Sequence, residues 1–341
     1  MKKAIGLSVL AVLFADVLPI VLSGPTAGRN EPPELTPPAV TAAAAETPSP
    51  SPEPQPVLDA AMPLRLHTEQ GDVETTMADY LPYALAGEMP AAFAPEALRA
   101  QAVALRSYAL YYRAAPKAQH PEADVCTSSA CCTACADEAA LRERWGADYE
   151  TYWEKICAAV AATDGQYLVW EGEPALAVFH AASRRSTEAG ADLGMTQPYL
   201  ASVDSPETAE TVQNLNTTVE VSAEEFRAAV AAAVPDADLS GAAETWVGAL
   251  TLNAAGRVDR VMVGGKAVSG LAMRQMFSLR STDFTLAWNG GAFVFRVSGY
   301  GHGLGLSQYG ANLLARDGYG YAEILAHYYP GTELAMSVLE G

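Results

Sequence analysis

Positive charge is scarce in this chain. The 341 residues carry 21 Lys and Arg against 40 Asp and Glu, a formal net charge of -19. Phosphate backbones are held by clustered Lys and Arg that release counterions, so nucleic acid is excluded as a partner. Cysteine is also sparse: there are five, an odd number, so a complete disulfide framework cannot be formed within the chain. The glycines at 299, 301, 303 and 305 permit tight turns and close backbone approach, but the Lys and Ser or Thr of a phosphate-binding loop are missing beside them. Charged residues amount to 18% while hydrophobic ones reach 50%. That balance suits a globular protein with a sizeable core, organised as one large domain or two small ones.

What is present begins with a leader. Met1 to Ser23 places Lys2 and Lys3 ahead of an apolar run from Ala4 to Leu22. Such a segment reads as a signal anchor or a signal peptide, with the remainder exported. The run is just long enough to span a bilayer, whereas Asp16 and Pro19 weaken a spanning helix, so cleavage after Ser23 stays open. The expected location is therefore outside the cell membrane, anchored to it, or secreted if the leader is cleaved. Residues 24–58 follow, with ten prolines and the run TAAAAETPSPSPEPQP. A stretch with no periodic apolar face and this composition reads as a disordered Pro/Ala-rich linker.

The globular part, residues 59–341, is expected to be a single mixed α+β domain of antiparallel strands and helices. A first strand is expected between Pro63 and Val73. Ala94 to Ala115 is a helix on its periodicity, because Leu98, Ala102, Leu105, Ala109 and Tyr112 recur at steps of three and four. Arg99, Arg106 and Arg113 form a second stripe, expected near Glu88. Before it, TTMADYLPYALAGEMP predicts a short helix capped by Asp79, with Pro82 in its first turn. Glu88 would close that helix just ahead of Met89 and Pro90. The negative end of a helix dipole raises a carboxyl pKa, which is what a general acid needs; the competing reading is a solvated helix-end residue.

A second candidate site lies in the cysteine-rich segment. His120, Cys126, Cys131 and Cys132 have the spacing H-x5-C-x4-C-C, with Cys135 close behind. Thiolates and an imidazole in one short loop suit tetrahedral zinc, and four protein ligands leave no open position, so the metal would be structural. Disulfides, permitted in an exported protein, are the rival reading, and Cys135 competes as the fourth ligand. Cys157, in an apolar stretch, reads as a buried core residue.

Further on, Gln166 to His180 predicts two strands joined by a turn at Glu171 to Pro174. His180 is either a groove residue or a satisfied core histidine. Ser222 and Glu225 form a capping box opening a helix that Pro235 ends. Residues 250–263 read as a hairpin, SGLAMRQMFSL as a helix, and 284–297 as two strands. Helices are expected from Gly310 and over AEILAHYY.

Five runs taken in order, GEMPAAFAPEALRAQAVALRSYAL, HPEADVCTSSACC, VFHAASRRSTEAGADLGMTQPYLASVDSPE, LRSTDF and GYGHGLGLSQYGANLLARDGYGYAEILAHYYPGTEL, resemble the sporulation stage II protein D family, the SpoIID/LytB domain. The resemblance covers about residues 73–334. It implies a peptidoglycan lytic transglycosylase acting on septal wall during engulfment, with peptide-free glycan strands as substrate. The partners it implies are a cell-wall amidase and the membrane proteins of an engulfment complex. It places the catalytic glutamate at Glu88 and family positions at Gln101 and Arg106, which could hold sugar groups or, for Arg106, fix a structural carboxylate. It puts His302 and Gln308 beside the cleft, as sugar contacts or as supports for Glu88. It also implies one zinc held by two histidines and two cysteines; here Cys131 stands where the second histidine is expected, giving Cys3His. Two glycines of the family correspond to Arg184 and Arg185, and arginine does not take a positive φ cheaply, so this loop is expected to run differently. No cofactor is implied for catalysis itself.

The chemistry is consistent with that resemblance. Most glycoside hydrolases need two carboxylates, but one suffices where the sugar's own 6-hydroxyl is the nucleophile. The acid protonates the bridging oxygen, then as carboxylate takes the hydroxyl proton while a 1,6-anhydro ring closes. The alternative from another class is a non-catalytic wall-binding protein that recruits or modifies an amidase.

Overall fold

The computed structural model describes residues 56–337. The leader at 1–23 and the linker up to residue 55 lie outside the described residues. Those described form a mixed α+β fold of eight α-helices and several small sheets of two or three strands, mostly antiparallel. Among them, no helix is long and apolar enough to cross a membrane.

The chain enters through a hairpin, Pro63–Thr68 paired with Gly71–Thr76, where the sequence predicts a single strand. Helix α1 then runs Met77–Glu88. Its cap is Thr76 rather than Asp79: Thr76 has the extended backbone of a capping residue, and its hydroxyl accepts the Asp79 N–H at 3.1 Å and donates to Asp79 Oδ2 at 2.7 Å. Pro82 consequently sits in the helix interior, at the sixth helical position and past the first turn that suits it.

Helix α2, Pro95–Ala114, is the centre of the first core. Its apolar stripe is buried as expected, but so is almost every residue from Ala97 to Ala109. Alanines at 97, 100, 102, 104 and 109 let neighbouring elements approach from all sides, so α2 is a core helix rather than an amphipathic surface one. The arginine stripe is dispersed among separate partners. Arg99 pairs with Glu96, Arg106 with Asp59, and Arg113 with Asp124; the row does not converge on Glu88, because each guanidinium meets a nearer carboxylate first.

Gln166–Trp170 lies between Glu333–Met336 and Glu173–Pro174. The turn joining the latter pair places Glu171 and Gly172 at φ 53° and 86°, as a two-residue hairpin turn requires. A second hydrophobic core gathers residues 219–297 around Phe226, Trp246, Phe277, Phe293 and Phe295. It is built on the sheet Asp283–Trp288, Ala292–Ser298, Asn216–Ser222, with the Ser222/Glu225 capping box opening the helix Ala223–Ala233 as expected. A three-stranded meander, Val247–Leu252, Val258–Val263 and Lys266–Ser269, completes it. The globular part thus holds two sizeable cores, the second inserted between the halves of the first.

Buried charge joins the two. Arg257 of the second core donates to Ser183 Oγ at 2.9 Å and lies 3.7 Å from Glu188, while Arg184 forms a two-pronged pair with Asp283 at 2.9 and 3.0 Å. The adjacent Arg185 adopts φ 70°, so the loop keeps a left-handed residue although no glycine is there. His180 is a satisfied core histidine, hydrogen-bonded to the Leu304 carbonyl at 3.0 Å and Ser183 Oγ at 2.6 Å. The short parallel pairing of Phe179–His180 with Leu306–Ser307 then delivers the helix beginning at Gln308 to the junction. Gly305 makes this possible: at φ 62°, a Cβ there would lie 2.0 Å from the Val178 carbonyl oxygen.

Candidate functional site

Helix α1 stops at Glu88 because Met89 turns extended, its N–H reaching back to the Leu85 carbonyl at 2.9 Å, and Pro90 cannot continue the ladder. The Glu88 side chain emerges half-buried at the floor of a groove. Its Oε1 accepts a hydrogen bond from the Ala134 backbone N–H. Gln308 faces the same carboxyl and tempers its acidity shift, although its Nε2 falls short of a hydrogen bond of good geometry. Burial pushes the Glu88 carboxyl from 4.5 up to about 7, outweighing the Ala134 and Gln308 contacts that favour the charged form. The sequence suggests a raised pKa from the helix end; desolvation is the larger cause.

The groove has two flanks that meet at Glu88 and Pro90. Arg144, Trp145 and Tyr152 wall one flank. Gln308, Tyr309, Arg280 and Tyr300 wall the other, at the junction of the two cores. Among the described residues that line these flanks, Glu88 is the only carboxylate. The lining therefore offers Glu88 no second carboxylate of the kind a paired mechanism uses.

The remaining sequence candidates separate clearly. Gln308 lies in the groove beside Glu88. Gln101 is fully buried and lines neither flank; both its amide atoms lack a hydrogen-bond partner among the described residues. Arg106 is likewise fully buried, its guanidinium spent on both oxygens of Asp59, at 2.5 and 2.6 Å, and on the Gln166 carbonyl at 2.7 Å. Of its two readings, the structural one holds, because no donor of Arg106 is left facing the groove. His302, within the glycine-rich turn, is partly buried and is not among the residues that line either flank. Its Nδ1 accepts the Leu304 N–H at 3.1 Å, and burial together with the charge of Arg274 pushes its pKa down to about 3 despite a hydrogen bond to the Phe179 carbonyl. Its hydrogen bond to Leu304 makes it a neutral support for that turn. Arg144, Trp145, Tyr152 and Ala134 are not singled out by sequence, since an exposed helix end and a loop amide carry no periodic signal; Arg280 and Tyr300 lie within the family-like runs, where the resemblance gives them no role.

The cysteine-rich segment folds against the same helix. The ligand atoms of His120, Cys126, Cys131 and Cys132 all lie within 4.8 Å of one another, a group that could hold a metal ion. Nδ1 of His120 donates to the Ala123 carbonyl at 3.1 Å, which leaves Nε2 as the lone-pair nitrogen, 3.2 Å from Cys132 Sγ. All five cysteines are free thiols. Cys135 stands apart from the cluster, its thiol pushed up to about 11 by burial and then by the Glu88 charge. Cys157 is half-buried in the helix Tyr149–Ala161 rather than fully in the core.

The metal-ligand loop and the groove are physically continuous. Thr133 hydrogen-bonds Tyr80 of α1 at 2.7 Å, Ala136 N–H donates to the Tyr83 carbonyl at 3.1 Å, and Ala134 reaches Glu88. Gly87 permits this close seat, since a Cβ there would lie 2.8 Å from the Ala134 carbonyl oxygen.

Comparison with known proteins agrees with the resemblance read from the sequence. The family described as stage II sporulation protein, SpoIID, matches residues 68–170. Stage II sporulation protein D of Bacillus amyloliquefaciens is 34% identical over 262 residues, covering 76% of this chain and 74% of that protein. Stage II sporulation protein D of Bacillus subtilis strain 168 is 31% identical over 335 residues, or 97% and 95% of the two chains. A shorter match, 46% identical over 55 residues, joins 16% of this chain to 8% of the amidase enhancer of the same organism.

Proposed function

This chain belongs to the stage II sporulation protein D family, and from that premise we propose that it is a lytic transglycosylase that cuts peptidoglycan glycan strands at Glu88. The observation that carries the proposal is a single, desolvated carboxyl, raised to about 7, on the floor of a groove open to either side. Near neutral pH a large fraction of Glu88 stays protonated, as a general acid requires.

The reaction balances with this group alone. Glu88 gives its proton to the oxygen bridging two sugars as the bond from C1 to that oxygen breaks. The carboxylate then takes the proton of the 6-hydroxyl on the same sugar, whose oxygen closes onto C1. The products are a 1,6-anhydro-muramic end and a free hydroxyl on the leaving strand, with no water consumed and Glu88 reprotonated. Holding the hydroxyl beside C1 makes the attack intramolecular, which is worth several kcal/mol of orientation.

The His120, Cys126, Cys131 and Cys132 group fits zinc by its donor chemistry. A Zn–S bond of about 2.3 Å puts neighbouring sulfurs of a tetrahedral site about 3.8 Å apart, and Cys131 and Cys132 stand 4.0 Å apart. Zinc there would be structural and would supply folding energy to the loop. In the same proposal the leader holds the protein at the outer face of the cell membrane, the linker spans toward the wall, and the setting is septal wall removal during sporulation. The short similarity to an amidase enhancer supports a cell-wall amidase as a working partner.

The test is mass spectrometry of products from peptide-free glycan incubated with the full chain. New 1,6-anhydro ends are expected. New reducing ends would mean hydrolysis instead, and persistent binding without cleavage would favour the wall-binding, amidase-modifying alternative.

A further inference from the structure

We infer that Arg280 and Arg144 are two anion-binding positions, one on each flank of the groove, that select glycan whose sugars carry free carboxylates. This rests on the reading of the groove as a glycan site and adds to it which chemical group is recognised, and by what.

Both arginines are uncompensated in a strongly acidic chain. Of the fifteen described arginines eight are paired with carboxylates, and of the seven that are not, Arg144 and Arg280 are the two that line the groove. The two that line the groove have no carboxylate partner among the described residues. Each is instead anchored by a backbone carbonyl, Arg144 by Ala86 at 3.1 Å and Arg280 by Asn214 at 2.8 Å. A carbonyl fixes the guanidinium without neutralising it, and leaves the other N–H donors available for a planar anion.

Arg280 is held further by stacking, its Cζ 4.2 Å from the centre of the Tyr300 ring. A half-exposed tyrosine beside a fixed guanidinium offers an apolar face for a sugar ring and a fork for its carboxylate. On the opposite flank Arg144 shares the wall with Trp145 and Tyr152, whose ring centres are 5.7 Å apart and supply the apolar face. Glu88 lies between the two flanks, so an acidic polymer crossing the cut site meets a cation before and after it. The ligand chemistry is a carboxylate borne directly on a saccharide, as on a glycan whose lactyl groups have lost their peptides. A peptide amide at that position removes the charge the two arginines read.

The experiment compares the full chain and the variants Arg280→Gln, Arg144→Gln and Arg280→Lys on two substrates, peptide-free glycan and the same glycan with its carboxyls methyl-esterified. Wild type should prefer the free acid roughly tenfold in kcat/KM, as a charge-assisted contact of this kind allows, and the preference should shrink with salt. Each Gln variant should lose most of it through KM while changing little on the ester; Arg280→Lys should retain part of it. Equal losses on both substrates would overturn the inference by showing a structural role, as would a wild type indifferent to esterification. Binding of both glycans to the Glu88→Gln chain, with and without Arg280→Gln, reads the same selectivity without turnover. A carboxylate-dependent affinity there, with no anhydro product from wild type, would uphold the inference and overturn the catalytic reading.

Discussion

The backbone N–H of Ala134 donates to Oε1 of Glu88, and Ala134 stands only two residues beyond Cys132, one of the four clustered metal-ligand candidates. The loop that would hold the metal therefore also orients the groove's single carboxyl. Whatever orders residues 126–136 sets both the position of the proton donor and how much water reaches it.

The first prediction concerns pH. Glu88 has a folded pKa of about 7 against 4.5 unperturbed. The active form is protonated, so kcat/KM should be level on the acid side and fall about tenfold per pH unit above roughly 7. The stability effect has the matching sign. Between about 4.5 and 7 the folded protein holds a proton that the unfolded chain has released, so this group's contribution is full below 4.5 and is lost as pH rises through 7. Glu88→Gln should abolish cleavage and keep the fold. Across that window it should gain stability relative to wild type, by at most roughly 1.4 kcal/mol for each pH unit climbed. Denaturant melts of both proteins at pH 4.5 and 8 check this; a constant difference would mean that the carboxyl is not desolvated.

The second prediction concerns the metal and Lys117. Three thiolates around a divalent ion leave one net negative charge. Lys117 Nζ donates to the Cys131 carbonyl and to Tyr108 Oη at 2.8 Å, and lies 4.5 Å from the centre of the Tyr112 ring. Its charge is thereby fixed beside the cluster, where it lowers the thiol pKa of Cys131 against burial, and that of Cys132 against the hydrogen bond with Cys126 and then burial. Metal analysis should find about one zinc per chain, and a chelator should lower Tm. Lys117→Met should weaken zinc binding by about fivefold, near 1 kcal/mol for a partly exposed charge pair. In a Cys131→His background, where the site is neutral, the same change should do less. Competition against a chromophoric chelator measures all four proteins.

How far the sequence reaches depends on the range of the interaction. Periodicity locates α2 and the helices of the second core, because a buried stripe repeats within a few residues. It cannot show that α2 is covered on every side, since that depends on partners up to 225 residues away, such as Tyr321, whose N–H donates to Glu96 Oε2 at 2.9 Å. Ligand spacing brings His120 and three cysteines together correctly, as all four lie within one loop. The groove is only half legible. Glu88 and Gln308 are found through the resemblance, but Arg144 enters the site only when its helix packs beside the end of α1, and Arg280 only when the two cores fold against each other.

Arg106 supplies the third prediction. A buried ion pair is costly to break from one side, because the remaining charge is left without water or partner. Arg106→Met should destabilise by about 3 to 5 kcal/mol and should leave KM for glycan unchanged in the fraction that folds. Chemical denaturation and initial-rate kinetics separate the two effects; a raised KM at unchanged stability would return Arg106 to the substrate.

Arg185 supplies the last. It adopts φ 70°, a region where a non-glycine side chain crowds its own backbone at a cost of roughly 1 to 3 kcal/mol. Its side chain is exposed, and it makes no ion pair among the described residues. Arg185→Gly should thus relieve strain with nothing lost in packing, offset in part by the greater freedom of glycine in the unfolded chain. A net gain of about 1 kcal/mol is expected. Arg184→Gly is the control, because that neighbour holds Asp283 with two hydrogen bonds across the junction of the cores; it should lose stability. Thermal melts of the two variants should move in opposite directions from wild type. If both fell, the left-handed turn at residue 185 would not be the feature that the loop preserves.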